Sequence, residues 1–194
     1  MIRFPSEMQN IAFYYWCMEI HRFALEGLVE FKPRIFEDNR GHFFESYNKD
    51  LFHKLGFDWV FVQDNQSFSH KNVLRGLHFQ REPFAQGKLV KVVSGKALDV
   101  VVDVRKTSPT FGQNVTVILD AATNNMLYIP EGFAHGFYAL EDCIFQYKCT
   151  KVYHKESETG IRWNDPTLNI DWGCSSPIIS EKDQELALFT NLKF

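Results

Sequence analysis

Two runs of the chain bring together residue types that can move protons. Val73-Leu74-Arg75-Gly76-Leu77-His78-Phe79-Gln80 sets a guanidinium and an imidazole in one strand-like stretch broken by glycine. Strict alternation sends Arg75 and His78 to opposite faces, but a glycine inside a strand marks a bulge that re-aims its neighbours. With a bulge at Gly76 both side chains can face one cavity, where an imidazole can work as a base near neutrality; a lone strand histidine is otherwise a satisfied core or surface group. In Ile144-Phe145-Gln146-Tyr147-Lys148-Cys149-Thr150, alternation puts Tyr147 with Phe145 and Cys149 on the more apolar face. A phenol directed inward needs a partner, so Tyr147 is either a core tyrosine bonded to backbone or a group that meets a ligand.

Other polar positions are less specific. Lys88 follows Gln86-Gly87 at the opening of a strand, where a cation is either solvated or set beside a developing oxyanion. Asp183, in Ser180-Glu181-Lys182-Asp183, sits at a helix start that suits a carboxylate. Arg40, between Asp38-Asn39 and Gly41, is at a turn tip, and Gln63-Asp64-Asn65 ends a strand with groups equally suited to turn chemistry. Pro130-Glu131-Gly132-Phe133-Ala134-His135 delivers His135 through a glycine-punctuated turn to the start of a strand.

The elements that must position these residues read as strands. Residues 88–93 and 97–104 are β-branched runs joined by Ser94-Gly95-Lys96, a hairpin signal. Alternation in the second run gives Leu98, Val100, Val102 and Val104 one face, the core, and Asp99, Val101, Asp103 and Arg105 the other. Further strands are expected over 28–35, 42–47, 59–65, 73–80, 115–119, 126–129, 136–140 and 143–150, a spacing that suggests an all-β sandwich or barrel. Short helices are expected over 49–55, capped by Asn48 and stopped by Gly56, and over 181–188, where Ser180 followed by Asp183 is a capping signal.

Composition narrows the function classes. The chain has 194 residues, enough for one domain with a real core. With 21 Lys+Arg against 24 Asp+Glu the formal charge is −3, so no global field favours nucleic acid, and any bound anion must be caught by a few local cations. None of the four cysteines forms a CxxC pair, which excludes the common zinc-ribbon and thioredoxin-like spacings and fits a reducing cytoplasm. The most apolar opening stretch, 11–18, is far short of the ~20 residues that span a bilayer.

The Pro-x-Gly-x-x-His segment ending at His135 resembles the second metal-binding motif of cupin barrels. A metal site there also needs a His-x-His and a downstream carboxylate, and the first motif offers only His78-Phe79-Gln80, so the pocket is expected to be metal-free. Taken together, the chain resembles the dTDP-4-dehydrorhamnose 3,5-epimerase family, a cupin-like jelly roll, from about Met18 to about Asp183. The markers are Phe36-Glu37-Asp38-Asn39-Arg40-Gly41 with Phe44-Glu45-Ser46-Tyr47, Phe61-Val62-Gln63-Asp64-Asn65, Val73-Leu74-Arg75-Gly76-Leu77-His78, Gln86-Gly87-Lys88-Leu89-Val90, the 129–137 turn, Tyr147-Lys148 and Trp163-Asn164-Asp165-Pro166. Gln66-Ser67-Phe68 departs from the family, whose members often carry His and a polar residue where Gln66 and Phe68 stand.

The resemblance implies an all-β, cupin-like jelly-roll barrel with a few short helices, in which His78 is the general base, Asp183 the carboxylate that orients it and Tyr147 the general acid. Lys88 and Arg75 would sit at the sugar and diphosphate, and Lys88 could hold an enolate oxygen. Arg40, Glu45, Gln63, Asp64, Asn65, His135, Glu158 and Lys182 match nucleotide- or sugar-contacting positions. No hydride moves in such a reaction, and no Gly-rich dinucleotide fingerprint occurs, so no cofactor is expected. The implied partners are a dTDP-sugar and a second copy of the chain, with no nucleic acid or membrane, in the cytoplasm. The homodimer is also expected because a hairpin over 28–47 would leave a long exposed strand edge. Residues 1–17 precede the family's usual start and are expected to be an extension to a single domain over 18–194. Alternatives within the scaffold are a 3- or 5-monoepimerase and a metal-dependent cupin oxygenase; outside catalysis, a nucleotide-sugar binding module.

Overall fold

Aliphatic and aromatic side chains recur through the middle of the chain, and burying them on both faces of a sheet demands two sheets plus an outer cover. The computed structural model describes residues 18–192; the expected extension over 1–17 lies outside the described residues. One sheet has the order β1-β2-β10-β7-β12-β5, formed by Met18–Arg22, Val29–Pro33, Met126–Ile129, Lys88–Ser94, Cys143–Cys149 and Gln63–Ser69. The other has the order β13-β6-β11-β8-β9, formed by Glu158–Gly160, Leu74–Gln80, Phe133–Ala139, Lys96–Asp103 and Asn114–Asp120. A separate hairpin pairs β3 (Phe36–Asp38) with β4 (Gly41–Phe43), and every named pair is antiparallel. The architecture is the cupin-like jelly roll that the resemblance implies. Among the described residues no helix is long and apolar enough to cross a membrane.

The core lies in three layers. Between the sheets, Val90, Val92, Val101, Leu119, Leu127, Phe137 and Phe145 pack together. The outer face of the second sheet is covered by residues from the C-terminal third, with Ile161, Leu168 and Trp172 on Leu77, Val100 and Val102. The outer face of the first sheet is covered by the helix Lys49–Lys54 and the segment after it, where Phe52 and Phe57 pack on Phe31. That helix is capped as expected: the Asn48 side chain accepts from the N–H groups of Asp50 and Leu51.

Several expectations are corrected. β7 and β8 do not form a hairpin, because β7 pairs with β10 and β12 while β8 pairs with β11 and β9. The connection at Gly95 is a corner between sheets, with φ +77°, packed so closely on the backbone of Asp142 that a Cβ would collide with it. Both faces of β8 are buried, since the C-terminal cover seals its outer side; Asp99 and Asp103 are fully buried on the inner side, each ion-paired. The strand expected over 42–47 stops at Phe43, and Tyr47 turns away to pack on Phe52 and Phe61. The next strand begins at Gln63 rather than Trp59, whose indole stacks on Tyr128. The last helix ends at Gln184, because the carbonyls of Leu186 and Ala187 are used to accept from Arg162. The 28–47 hairpin does not form either: β2 is paired on both sides, so the open edge at this end of the sheet belongs to β1.

Candidate active site

Gly76 decides where the first motif points. The register between β6 and β11 pairs His135 with His78 and Phe137 with Arg75, two steps on one strand against three on the other. This is the expected bulge, and it turns Arg75 and His78 toward one cavity. Gly76 has φ +113°, and a Cβ there would sit 2.6 Å from the Cα of Gly136, so both strands carry glycine where their backbones meet.

The cavity, of about 300 Å³, lies between the sheets and is lined by Arg75, His78, Lys88, His135, Tyr147 and Asp183, with Lys182 at its wall. A second lobe of about 250 Å³ shares His78, Lys88 and Tyr147 and extends to Gln63, Asn65, Tyr153 and Glu158. Ten of the thirteen expected residues thus line one continuous set of walls. Arg40, Glu45 and Asp64 do not. Alternation along β5 turns Asp64 away from Gln63 and Asn65, and its carboxylate takes Lys148 at 2.8 Å. Arg40 stands at the exposed tip of the β3–β4 hairpin, bonded to Asp38, and Glu45 accepts from Asn48.

His78 Nε2 lies 2.7 Å from Asp183 Oδ1, and Asp183 Oδ2 accepts the Gly76 N–H at 3.1 Å. The helix cap on Ser180 holds the carboxylate in place, its Oγ accepting the Asp183 N–H. Burial pushes the Asp183 carboxyl up, but the bonds and charge of His78, the Gly76 N–H and Lys182 outweigh it and hold the pKa below the ordinary carboxylate value. A carboxylate on Nε2 keeps the proton there and leaves Nδ1 as the basic nitrogen.

Tyr147 comes from β12 and reaches the cavity from the other sheet. Burial raises its pKa, with Cys149 and Glu158 adding to the effect and Arg75 opposing it, so the phenol keeps its proton at neutrality. Burial lowers the pKa of the Lys88 ammonium, an effect that Cys149, Asp99 and Glu158 oppose. Arg75 is aimed by Ser69 Oγ at 3.0 Å and the Phe68 carbonyl at 3.1 Å. Glu158 accepts from Lys182 at 2.6 Å and from the Tyr153 hydroxyl at 2.9 Å.

Sequence reasoning missed Tyr153, Ser69 and Asp99. Asp99 Oδ2 receives Nε2 of the cavity-lining His135 at 2.8 Å; the alternation in β8 exposed the carboxylate, but nothing local paired it with a histidine 36 residues on. Among the described residues no group of three or more His, Cys, Asp or Glu side chains is placed to hold a metal ion.

A cupin-like barrel whose cavity opposes a carboxylate-backed imidazole to a protonated phenol, with an ammonium beside them, belongs to the class of proteins equipped to move protons at a carbon acid. The comparisons with known proteins narrow this. A sequence profile of the dTDP-4-dehydrorhamnose 3,5-epimerase family matches residues 22–191, and the chain belongs to that family. It is 51% identical over 172 residues to the dTDP-4-dehydrorhamnose 3,5-epimerase of Escherichia coli K12, covering 87% of this chain and 93% of the relative. It is 49% identical over 165 residues to the enzyme of the same name from Methanothermobacter thermautotrophicus, covering 83% and 89%. Among solved structures it matches the dTDP-6-deoxy-D-glucose-3,5-epimerase of Legionella pneumophila, crystallised with dTDP-4-keto-L-rhamnose, with a TM-score of 0.87 at 45% identity, covering 91% of this chain and 95% of that one.

Proposed function

We propose that the protein inverts C3 and C5 of dTDP-4-dehydro-6-deoxy-D-glucose, giving dTDP-4-dehydro-L-rhamnose through enolate intermediates. The observation that carries the reading is the placement of His78, with Nε2 bonded to Asp183, and Tyr147 around one cavity. Each inversion needs a base on one face of the sugar and an acid on the other. His78 Nδ1 takes the proton from the carbon beside the ketone, and the C–H electron pair moves into the ring as the carbonyl becomes an enolate. Asp183 orients the imidazole and stabilises the imidazolium. Lys88 supports the negative oxygen. Tyr147 returns a proton to the opposite face and regains one from solvent, and His78 releases its own. The cycle runs once at each carbon, and no electrons leave the sugar.

Arg75 holds the diphosphate, while Gln63, Asn65, His135, Glu158 and Lys182 contact the nucleotide or sugar from the cavity walls. Arg40, Glu45 and Asp64 lie off the cavity of their own chain and would reach a nucleotide only across the interface of a homodimer, the assembly we propose. We place the reaction in the cytoplasm, a reducing compartment that suits the free cysteines.

The test is incubation with dTDP-4-dehydro-6-deoxyglucose in deuterated buffer. Deuterium should enter at both C3 and C5 with inversion at each; incorporation at one carbon alone would make the protein a monoepimerase, and none at either would overturn the reading.

A further inference from the structure

Asp99 is fully buried on β8, on the strand face that looks between the sheets, and neither the sequence markers nor the proton path accounts for it. One oxygen receives His135 Nε2 at 2.8 Å. The other, Oδ1, is buried with no hydrogen-bond partner. A carboxylate oxygen held this way bears its full desolvation cost, so its position calls for a reason.

The neighbour that supplies one is Lys88, which shares the cavity wall with His135. Three groups oppose the desolvation of its ammonium: Cys149, Asp99 and Glu158. Burial pushes the Cys149 thiol above its ordinary pKa, so it carries no charge at neutrality. Glu158 is engaged by Lys182 at 2.6 Å and by the Tyr153 hydroxyl. Of the three, Asp99 alone has no partner but His135.

We propose that Asp99 is a positioning residue of the active site: its carboxylate holds the His135 ring through Nε2 and supplies the fixed negative charge behind the Lys88 ammonium. The inference rests on the epimerase reading above. One buried carboxylate thereby sets two cationic or polar groups against the substrate without touching it. It also explains why an aspartate stands between Leu98 and the run Val100-Val101-Val102 in the middle of the strand.

The test is Asp99→Asn, which keeps the shape and removes the charge. The kcat should fall about ten- to a hundredfold with a smaller change in KM, in the range that carboxylates behind functional imidazoles contribute. Deuterium wash-in should fall as much as inversion, because the enolate itself loses support. The melting temperature should hold, since the asparagine keeps an oxygen that can accept from His135 Nε2. Near-normal turnover, or activity lost only in step with folded protein, would overturn the inference. Wild-type protein is assayed alongside: if it neither exchanges nor inverts, the epimerase reading has failed and this inference falls with it, whereas active wild type beside an equally active variant sinks the inference alone. Should the variant not fold, ¹⁵N NMR of His135 in the wild type decides, with the proton expected on Nε2 and a proton found on Nδ1 alone counting against it.

Discussion

His78 Nε2 and Asp183 Oδ1 lie 2.7 Å apart although 105 residues separate them in the chain. The bond occupies Nε2 and leaves Nδ1 as the basic nitrogen, so the orientation of the imidazole proposed as the base is set by a segment that joins the barrel from the far end of the sequence. His78→Ala should therefore lower turnover by about 10²–10⁴-fold while sparing most affinity for dTDP, because the nucleotide is held by other groups. Asp183→Asn should lower kcat through loss of tautomer control. Steady-state rates with calorimetric binding of dTDP check both, and a near-normal rate in His78→Ala would remove it as the base.

Tyr147→Phe separates the two halves of the reaction. The ring and its packing against Phe145 persist, but the only proton the side chain can give is gone. Solvent deuterium should still enter the substrate while inversion slows sharply, since the enolate can be reprotonated only from the face that lost its proton. Equal loss of exchange and inversion would mean that Tyr147 assists the first step instead.

The β3–β4 hairpin carries Arg40 at its tip, and Phe43 beside it is 66% exposed. If the hairpin serves a neighbouring copy, the protein will scatter light as a dimer at micromolar concentration, and Arg40→Ala will raise KM more than it lowers kcat. A fully active monomer would exclude the shared site.

Asp103 gives the acid limb of stability. Burial pushes its carboxyl up, but bonds from Arg105, Ser108 and Thr110 hold the pKa at about 2. A carboxylate depressed in the folded state contributes stability that is present above its unfolded pKa near 3.8 and lost as pH falls toward 2. The contribution is about 2 kcal/mol by linkage. In Asp103→Asn, denaturant titrations should show that stability missing at pH 7 and a flatter decline between pH 4 and pH 2; an unchanged acid limb would show that the depressed carboxyl contributes nothing.

The local grammar of the chain was legible residue by residue. Asn48 and Gly56 bracket a helix because capping and positive φ depend on the residues themselves, and Gly76 announces a bulge because a missing Cβ is a local fact. The family markers carried the functional assignment, since the residues proposed as base, acid and oxyanion support all fall in short recognisable runs. Pairing is a different kind of information. The signal at Ser94-Gly95-Lys96 is the same for a hairpin and for a corner between sheets, and only the partners of β7 and β8, drawn from 126–149 and 114–139, decide between them. The same holds for Asp99: its side of the strand could be read from alternation, but whether a carboxylate there meets water or a histidine depends on which strand arrives across from it. Tertiary structure settled those questions because a hydrogen bond between distant segments is worth making only once the sheets have closed around it and excluded water.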